Sequence, residues 1–465
     1  MSKHEKFIEI IENGAELLQG ELNKDSKFYC ISHLDADGVT GAATLTKVIR
    51  SHNGQINYRF THSLRNDLID SITENQKLFD FLIFCDCGST SLDYILSKFQ
   101  NKCILVIDHH KTAQVIPSNE KVAHINPWLV GIDGTQSISA GGLAYLVANR
   151  VEKHIEMSPL AVVAAIAEWQ DSKGELIGYN DEICQEAEAQ KYIKQEEDIR
   201  LLGRQTYSML NLLFISFPVL PSLTADLNAC KNFLSSLNIN EKQRWIDLEE
   251  DKKNQFWEAL KSRMKGKLPE NIISSLYGTV YTLLKEKEGT MKRDAREFGF
   301  LINACGRRGQ AKIGLEVCLK SDYETYKRAV DLFEDDTNKL FVGIKDVTDS
   351  VNEKENVTYS ISDKIEPNLI GTVCSMVLSS RVSDPNKILI CLAQTEDKVK
   401  FSARCHSPLV KEGINLGDAL KKAANIVGGY GGGHTNSGGG YIKMAKFEDF
   451  IEELDNIIGL QLKKD

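Results

Sequence analysis

The strongest constraint on the fold of this chain is a repeated order of short apolar runs and helical patterns near its N-terminus. The runs KFYCIS, FDFLIFCDCG and KCILVID alternate with the patterns GVTGAATLTKVIRSH and SLDYILSKF. Strand, helix and strand in this order predict βαβ units and a parallel sheet. Ligands of such sheets bind beyond the carboxyl ends of the strands. The residues that follow the three apolar runs are therefore the first candidates for a functional site.

Each of the three predicted strands ends in ionisable side chains. A single aspartate at such a place is as commonly a helix N-cap, but three clusters at successive strand ends favour one shared site. Crowded carboxylates repel one another unless a cation neutralises them. Carboxylate and imidazole ligands suit Mn²⁺ or Mg²⁺, with Zn²⁺ and Co²⁺ as alternatives, and two such ions can clamp a phosphate. The clustered residues are His33, Asp35 and Asp37 after the first strand, Asp86 after the second, and Asp108, His109 and His110 after the third.

Composition and charge are ordinary for a soluble globular protein. The chain has 465 residues, of which 42% are hydrophobic and 26% charged, and this length predicts two or three domains. No apolar run of about 18 residues is present, so no membrane span is expected. The net charge of −9 argues against a surface coated in positive charge for capturing nucleic acid. The segment from Lys285 to Lys312 is basic, which favours either a local nucleic-acid groove or a solvated charged face.

The cysteines and the N-terminal residues point to a cytoplasmic protein. Eleven cysteines lie in apolar runs such as FYCIS and ILICLA, without any CxxC pair. This pattern predicts reduced, mostly buried thiols. Cys85 and Cys87 without a second pair make a poor zinc site. The first 22 residues are charged throughout, with apolar residues near helical spacing, which predicts an amphipathic surface helix rather than a signal peptide.

Five motifs together resemble those of the DHH phosphoesterase superfamily. HLDADG, DCGS and DHH follow the three predicted strands in order, and FSAR and GGYGGGHTNSGGG lie far downstream. The two downstream motifs resemble the DHHA1 domain, a substrate-binding domain that often follows a DHH domain. Within the superfamily, the layout is most similar to archaeal RecJ-like single-strand exonucleases, including those that associate with the replicative GINS complex.

The resemblance implies a dinuclear site for two Mn²⁺ ions, with Mg²⁺ or Co²⁺ as alternatives. Asp86 would bridge the ions and take part in catalysis. His110 would stabilise charge on the scissile phosphate or protonate the leaving oxygen, and Asp108 would orient the histidines. The implied metal ligands are His33, Asp35, Asp37, Asp86, His109 and Glu168.

The fourth motif of the family is where this sequence departs from the pattern. Relatives carry an apolar helix that ends in an aspartate ligand, whereas AVVAAIAEWQDSKG places Glu168 at the aligned position. The extra methylene of glutamate moves the carboxylate oxygens, and Asp171 is the alternative ligand. The departure leaves open an altered second metal site and a loss of catalysis.

Two glycine-rich stretches are candidates for binding phosphate. SISAGGLAYLVANRV predicts a helix capped by Ser137 or Ser139, whose glycines favour either N–H groups open to phosphate or close helix packing. GGYGGGH is expected to preclude a regular helix or strand, and it favours an anion-binding nest over a flexible loop. Arg404 can grip a phosphate with two N–H groups. The predicted substrate-binding residues are Arg404, Gly431, Gly432, Gly433 and His434.

The predicted fold class is α/β, in three segments. Residues 1–180 form a parallel-sheet DHH domain, 181–275 a helical linker or insertion, and 276–465 a mixed α/β DHHA1-like domain. Long charged helices are expected in EICQEAEAQKYIKQEEDIRLLGRQ and INEKQRWIDLEEDKKNQFWEALKSRM, with Trp245 and Trp257 as core residues. YGTVYTLLKEK and FGFLINACG are expected as strands of the last segment.

Together these features predict a metal-dependent, single-strand-specific exonuclease that hydrolyses phosphodiester bonds of DNA or RNA in replication or repair. Lack of residues that read base edges predicts cleavage independent of sequence. One alternative is a phosphodiesterase for short oligonucleotides or cyclic dinucleotides. A second is a weakly active or inactive scaffold that binds GINS and the replicative helicase. The complete DHH triplet favours an active enzyme, while Glu168 leaves the inactive scaffold as an alternative.

Overall fold

The structure, a computed structural model, describes residues 1–112, 120–320, 322–379, 384 and 386–462, and their strands form three sheets. The strands are β1 (Lys27–His33), β2 (Gln55–Thr61), β3 (Phe81–Cys85), β4 (Cys103–Ile107), β5 (Val122–Ile125), β6 (Ile193–Ile199), β7 (Tyr277–Leu283), β8 (Asn352–Glu353), β9 (Val357–Ser362), β10 (Ile388–Gln394), β11 (Lys398–Arg404), β12 (Tyr430–Gly433) and β13 (Ser437–Lys443). The first sheet has the order β2-β1-β3-β4-β5 and is wholly parallel. The last has the order β12-β13-β11-β10-β9-β8 and is mixed. Strands β6 and β7 pair antiparallel.

Helices separate most of these strands along the chain. They are α1 (Lys3–Leu22), α2 (Ala36–Ser51), α3 (Asn66–Thr73), α4 (Leu92–Lys98), α5 (Ala140–Val151), α6 (Ser158–Ala167), α7 (Tyr179–Ala189), α8 (Met209–Phe214), α9 (Leu227–Ser236), α10 (Glu250–Met264), α11 (Glu270–Ser275), α12 (Ala295–Arg307), α13 (Ala311–Leu319), α14 (Tyr323–Asp349), α15 (Ile370–Ser379), α16 (Ser407–Lys411), α17 (Leu416–Ile426) and α18 (Phe447–Leu462). Among the helices that the structure describes, none has both the length and the apolar content to cross a bilayer. All eleven cysteines are free thiols.

The chain divides into two compact units, and each is described here by itself. Unit 1 comprises Met1–Thr206 and Ser274–Phe333, and unit 2 comprises Tyr207–Ile273 and Glu334–Asp465. These units are defined by how residues pack together in the structure and not by sequence motifs. The division into three sequence segments therefore stays a prediction.

The parallel sheet of unit 1 is covered on both faces. Strand β3 is buried along its whole length, as its continuous apolar sequence requires. Leu82 and Phe84 pack in one cluster with residues of α3 and α4, while the Cys85 thiol on the opposite face contacts the carbonyl of Gly38 in α2. With the helical middle region and the mixed sheet of unit 2, this arrangement confirms the predicted α/β class.

Two segments have a different secondary structure from the one that their sequences predict. The segment Ile193–Ile199, expected to be helical, forms β6, because antiparallel pairing with β7 satisfies its backbone despite its polar sequence. FGFLINACG, expected to be a strand, lies within α12. Its residues Phe298, Leu301 and Ile302 are buried at helical spacing, a pattern that a short apolar run does not distinguish from a strand. Trp245 is buried, as predicted.

Candidate metal centre

The predicted ligands meet at the carboxyl edge of the parallel sheet, between β1 and β3. From β1 the chain continues to β2 on one side, and β3 lies on the other side. The loops after β1 and β3 therefore lead away from each other and leave a crevice, which is where parallel α/β sheets bind ligands. Asp35 and Asp37 follow β1, and Asp86 follows β3 directly.

Asp35 and His33 form the first part of the site. Asp35 is the N-cap of α2 and accepts a hydrogen bond from the N–H of Gly38 at 3.1 Å. The Nδ1 atom of His33 lies 2.6 Å from Oδ2 of Asp35 and 3.3 Å from Oδ2 of Asp86. Burial opposes both charges, but the attraction between imidazole and carboxylate lowers the pKa of Asp35 and raises the pKa of His33 well above its usual value.

Asp37 is fully buried against the N-terminus of α5. Its two carboxylate oxygens accept hydrogen bonds from the N–H groups of Ala140 at 2.9 Å and Gly141 at 2.6 Å. Burial raises the pKa of Asp37, and the charge of Asp35 adds to this effect. Ser139 caps α5, as one of the predicted alternatives states. The N–H groups, for which phosphate binding was one of two alternatives, hold this carboxylate.

Asp86 lies at the centre of the cluster in a strained backbone conformation. Its φ of 57° is in the left-handed region, and its N–H donates to the carbonyl of Ile107 at 2.8 Å. The side chain is only 1% exposed, and Oδ1 has no hydrogen-bond partner. Burial raises the pKa of Asp86 well above its usual value, and the nearby charges of Asp35 and Asp37 raise it further. A divalent cation would relieve this repulsion.

The two histidines of the DHH triplet have different surroundings. Nδ1 of His109 lies 2.9 Å from the carbonyl of Gly134, so Nε2 lies on the side of Asp37 and Asp86, at 3.4 and 3.5 Å from their oxygens. Nδ1 of His110 lies 2.8 Å from Oδ1 of Asp108, a hydrogen bond that raises the pKa of His110. The His110 side chain is 54% exposed. Asp108 thus orients His110 alone.

Glu168 and Asp171 lie in different environments. Glu168 is the C-cap of α6, and burial together with the charges of Asp35 and Asp37 raises its pKa to about 8. Its carboxyl group therefore experiences the charges of the cluster. Asp171 is paired instead with two arginines, Arg200 and Arg296, the second at 2.5 Å. The structure therefore brings Glu168, and not Asp171, to the electrostatic environment of the site.

The arrangement of donor atoms fits divalent cations. Ligand atoms of His33, Asp35 and Asp86 lie within 4.8 Å of one another, and so do those of Asp86, His109 and His110. Asp86 is common to both groups. Oδ1 of Asp86 and Nε2 of His109 are buried without a hydrogen-bond partner, whereas Nδ1 of His33 is paired with Asp35. Buried polar atoms are normally paired, so two unpaired ligand atoms in one crevice indicate a place for a cation.

Several residues that support the site gave little signal in the sequence. The side-chain amide of Gln170 donates to the carbonyl of Gly134 at 2.9 Å, and Asn180 donates to Gln170. This pair fixes the carbonyl that orients His109. From α12, Oδ1 of Asn303 accepts a hydrogen bond from the N–H of Ala36 at 2.7 Å, in the first turn of α2. The position of Gln170 two residues after Glu168 is the only hint of these roles.

The predicted substrate-binding arginine in unit 2 is held by neutral groups. Nε of Arg404 donates to Oγ of Ser375 at 3.0 Å, and NH1 donates to Oγ of Ser402 at 2.9 Å and to the carbonyl of Ala403 at 2.9 Å. Among the residues that the structure describes, no carboxylate forms an ion pair with this guanidinium. Its position is fixed, and its positive charge stays uncompensated.

The glycine-rich stretch forms a β-hairpin, so the expectation that it precludes a strand is wrong. Strands β12 and β13 pair antiparallel, with Gly432 opposite Gly439. A Cβ on Gly431 would lie 2.8 Å from the carbonyl oxygen of Leu420 in α17, and a Cβ on Gly433 would collide with the carbonyl of Ser437. The hairpin packs too closely for side chains at these two positions.

Two members of the predicted substrate set are open to solvent in this hairpin. Nothing lies within 4 Å of the place where a Cβ of Gly432 would be. His434 is exposed after the end of β12, and its carbonyl accepts a hydrogen bond from the N–H of Gly417 at 2.8 Å. Packing alone therefore does not require a glycine at position 432.

The basic segment of unit 1 is partly structural. Lys292 forms an ion pair with Glu286 at 3.0 Å. Arg293 donates to three backbone carbonyls, and Arg296 binds Asp171. Three of the basic side chains between Lys285 and Lys312 therefore stabilise the fold.

Three family models match the chain in the order that its motifs predict. The DHH family, N-terminal domain matches residues 27–167, the DHH-CID domain 201–276, and the DHHA1 domain 354–460. The chain belongs to the DHH/DHHA1 superfamily, and its fold is RecJ-like.

Individual relatives agree with this membership. An uncharacterized protein of Methanocaldococcus jannaschii is 29% identical over 99% of this chain and 100% of its own length. The single-stranded-DNA-specific exonuclease RecJ of Thermus thermophilus is 22% identical over 46% of this chain and 33% of RecJ. The structure of that RecJ with Mn²⁺ superposes with a TM-score of 0.60 and 16% identity, over 97% of this chain and 55% of RecJ. The chain thus spans about half of RecJ.

The fold is also similar to that of a second protein. CDC45 of Entamoeba histolytica superposes with a TM-score of 0.70 and 13% identity, over 99% of both chains. At these identities, the likeness to RecJ and to CDC45 is one of fold.

Proposed function

We propose that this protein is a metal-dependent exonuclease that hydrolyses phosphodiester bonds of single-stranded DNA or RNA in replication or repair. The observation that carries the proposal is the pair of ligand groups that share Asp86, with Oδ1 of Asp86 and Nε2 of His109 buried and unpaired. Mn²⁺ is the proposed metal, and Mg²⁺ or Co²⁺ are alternatives. RecJ of Thermus thermophilus has been solved with Mn²⁺ and with Mg²⁺, which supports this choice.

The residues of the site divide into two sets of ligands. His33, Asp35 and Asp86 would hold one ion, and Asp86 and His109 the other, together with Asp37, whose Oδ2 lies 3.4 Å from Nε2 of His109. Glu168 would add its carboxylate from the end of α6. Bound cations would neutralise the phosphate and make a water molecule more acidic.

His110 has a different proposed role from His109. Its Nδ1 is occupied by Asp108, which favours the protonated imidazole and leaves Nε2 as its other donor. A half-exposed imidazolium beside Asp86 would offset negative charge on the phosphate or give a proton to the leaving oxygen. In unit 2, the fixed charge of Arg404, together with Gly432 and His434, would bind sugar and phosphate without reading the bases.

The direct test is hydrolysis of end-labelled single-stranded RNA and DNA in the presence of Mn²⁺. The wild type is compared with Asp86→Ala and with Asp93→Ala, which removes an exposed aspartate of α4. We expect Asp86→Ala to lose nearly all hydrolysis and Asp93→Ala to keep it. An equally active Asp86→Ala protein would contradict the site. The lengths of the products distinguish an exonuclease from a phosphodiesterase for short oligonucleotides or cyclic dinucleotides.

A scaffold that binds GINS and the replicative helicase is the second candidate. Glu168 favours it, because the longer side chain stands where the family pattern has an aspartate. A scaffold would bind purified GINS equally well with and without Asp86, and it would show no hydrolysis with any divalent ion.

A further inference from the structure

The outward face of the β12–β13 hairpin carries two exposed tyrosines side by side. Tyr430 is 74% exposed and Tyr441 is 45% exposed. The two residues are paired directly across the hairpin, and Lys400 of β11 lies opposite Tyr441 on its other side. Nζ of Lys400 lies over the ring of Tyr441, 5.7 Å from its centroid. Two aromatic rings and a cation therefore form one row across three strands.

This row cannot be part of the hydrophobic core of unit 2. Side chains alternate between the faces of a strand, and Phe401 and Ile442, the neighbours of Lys400 and Tyr441, are buried on the opposite face. That face packs on α17 and α18 through a single apolar cluster. The tyrosines therefore lie on the opposite face of the sheet, on which α15 packs against β10 and β11 while Tyr430 and Tyr441 stay exposed.

Beside the tyrosine row, β12 and β13 carry no side chains on the same face. The next row consists of Gly432, Gly439 and Ser402, about 7 Å along the strands. The space above Gly432 is open. The row after that pairs Ser437 with Arg404. A planar group that stacks on a tyrosine would thus have the two glycines of β12 and β13 next to it, with the buried Ser402 at their edge and a fixed cation beyond.

Three lysines beside the tyrosine row form no ion pairs with residues that the structure describes. Lys398 and Lys443 lie opposite each other one row further from Arg404. Within the part of the chain that the structure describes, neither of these ammonium groups nor that of Lys400 forms an ion pair with a carboxylate. The face therefore combines aromatic surface with a local excess of positive charge in a chain whose net charge is −9.

We propose that this face, defined by Tyr430, Tyr441, Lys400 and Gly432, is a stacking site for unpaired nucleobases of a single strand. Every base has an aromatic face, so stacking on tyrosine tolerates any sequence. The neighbouring lysines and Arg404 would contact the phosphates on either side of the stacked bases. This inference rests on the proposed function and adds the surface that grips the strand. A protein partner fits less well, because glycines and lysines surround the two rings.

The test measures binding of a fluorescein-labelled single-stranded oligothymidylate to the full chain by fluorescence anisotropy. EDTA is present, so that binding is measured without hydrolysis. The variants are Tyr430→Ala, Tyr441→Ala, the double variant, and Tyr430→Phe, which keeps the ring. Tyr323→Ala is the matched control, because Tyr323 is 70% exposed at the start of α14.

We expect each alanine variant to bind about 5- to 150-fold more weakly, the range that corresponds to the loss of one base stack. Tyr430→Phe and Tyr323→Ala should bind like the wild type. The slope of log affinity against log salt should stay the same in the tyrosine variants and fall by about one in Lys400→Ala. Gly432→Ala, which adds a methyl group into open space, should fold normally and bind more weakly.

Failure of this inference is distinguishable from failure of the proposed function. If the wild type binds and hydrolyses single strands while both alanine variants bind equally well, the stacking site is wrong and the nuclease stands. If the wild type neither binds nor hydrolyses single strands, both are wrong. If the double variant changes only the oligomeric state in light scattering, the face is an interface between copies of the chain, and the inference is overturned.

Discussion

Replacing Asp86 with asparagine is expected to abolish the stabilisation that Mn²⁺ gives to unit 1. Asp86 belongs to both ligand groups, so the substitution removes a charged ligand from each ion. Asp35 belongs to one group only, and Asp35→Asn should impair a single ion. The two variants have the same change of charge, and they differ in how many ions lose a ligand.

The size of the effect follows from mass action. An ion present at 100 times its Kd stabilises the folded state by about 2.7 kcal/mol. In a domain of about 150–250 residues, each kcal/mol raises Tm by about 2–4 °C. Two ions should therefore raise the Tm of the wild type by about 10–20 °C. We expect about half of that rise for Asp35→Asn and almost none for Asp86→Asn.

The assay is differential scanning calorimetry with and without MnCl₂, together with the stoichiometry of binding from titration calorimetry. Without metal, Asp86→Asn should be at least as stable as the wild type, because an amide replaces a buried carboxylate close to two others. Asp93→Asn is the surface control and should respond to Mn²⁺ like the wild type. Equal metal-induced shifts in Asp86→Asn and the wild type would refute the shared-ligand reasoning.

Three further predictions concern single residues around the site. Gly141→Ala places a methyl group 2.6 Å from Cβ of Ala164, so the free energy of unfolding measured in urea should fall by about 1–3 kcal/mol. Gly20→Ala is the control and should not destabilise the protein, because nothing lies within 4 Å of its Cβ position. Equal stabilities of the two variants would show that α5 can move. Burial lowers the pKa of His124 to about 4, so the free energy of unfolding should fall by about 3 kcal/mol as pH falls from about 6.5 to about 4. His124→Gln should lack that part of the pH dependence, and an unchanged profile would exclude this histidine as its source. Glu168→Asp, the family residue, should change the apparent Mn²⁺ affinity by about tenfold in titration calorimetry, and an unchanged affinity would point away from this position as a ligand.

The sequence predicted those residues of the candidate site that directly follow apolar strands and have side chains typical of metal ligands. The apolar runs of β1, β3 and β4 each end at the residues that converge, because the carboxyl ends of parallel strands lie along one edge. The positions of Asp35, Asp86 and His109 could therefore be anticipated without any structure.

Long-range packing was beyond the reach of local pattern. The polar segment of β6 becomes a strand only because β7, far along the chain, pairs with it. Gly431 is explained by the close approach of α17 and Gly433 by that of the facing strand, which composition does not reveal. Phosphate binding was one of two alternatives for the amides of α5, and they bind Asp37, since the sequence does not show which anion lies at a helix N-terminus.

The hydrogen bond between Asn303 and the N–H of Ala36 has a consequence for how the protein is made. The two residues are 267 positions apart, so the first turn of α2 leaves the ribosome long before its partner has been synthesised. A nascent chain that ends before α12 carries the aspartates and histidines of the first three motifs without the helix that braces them. The loop that carries Asp35 and Asp37 therefore gains this contact only late in translation, after the entire middle region has emerged.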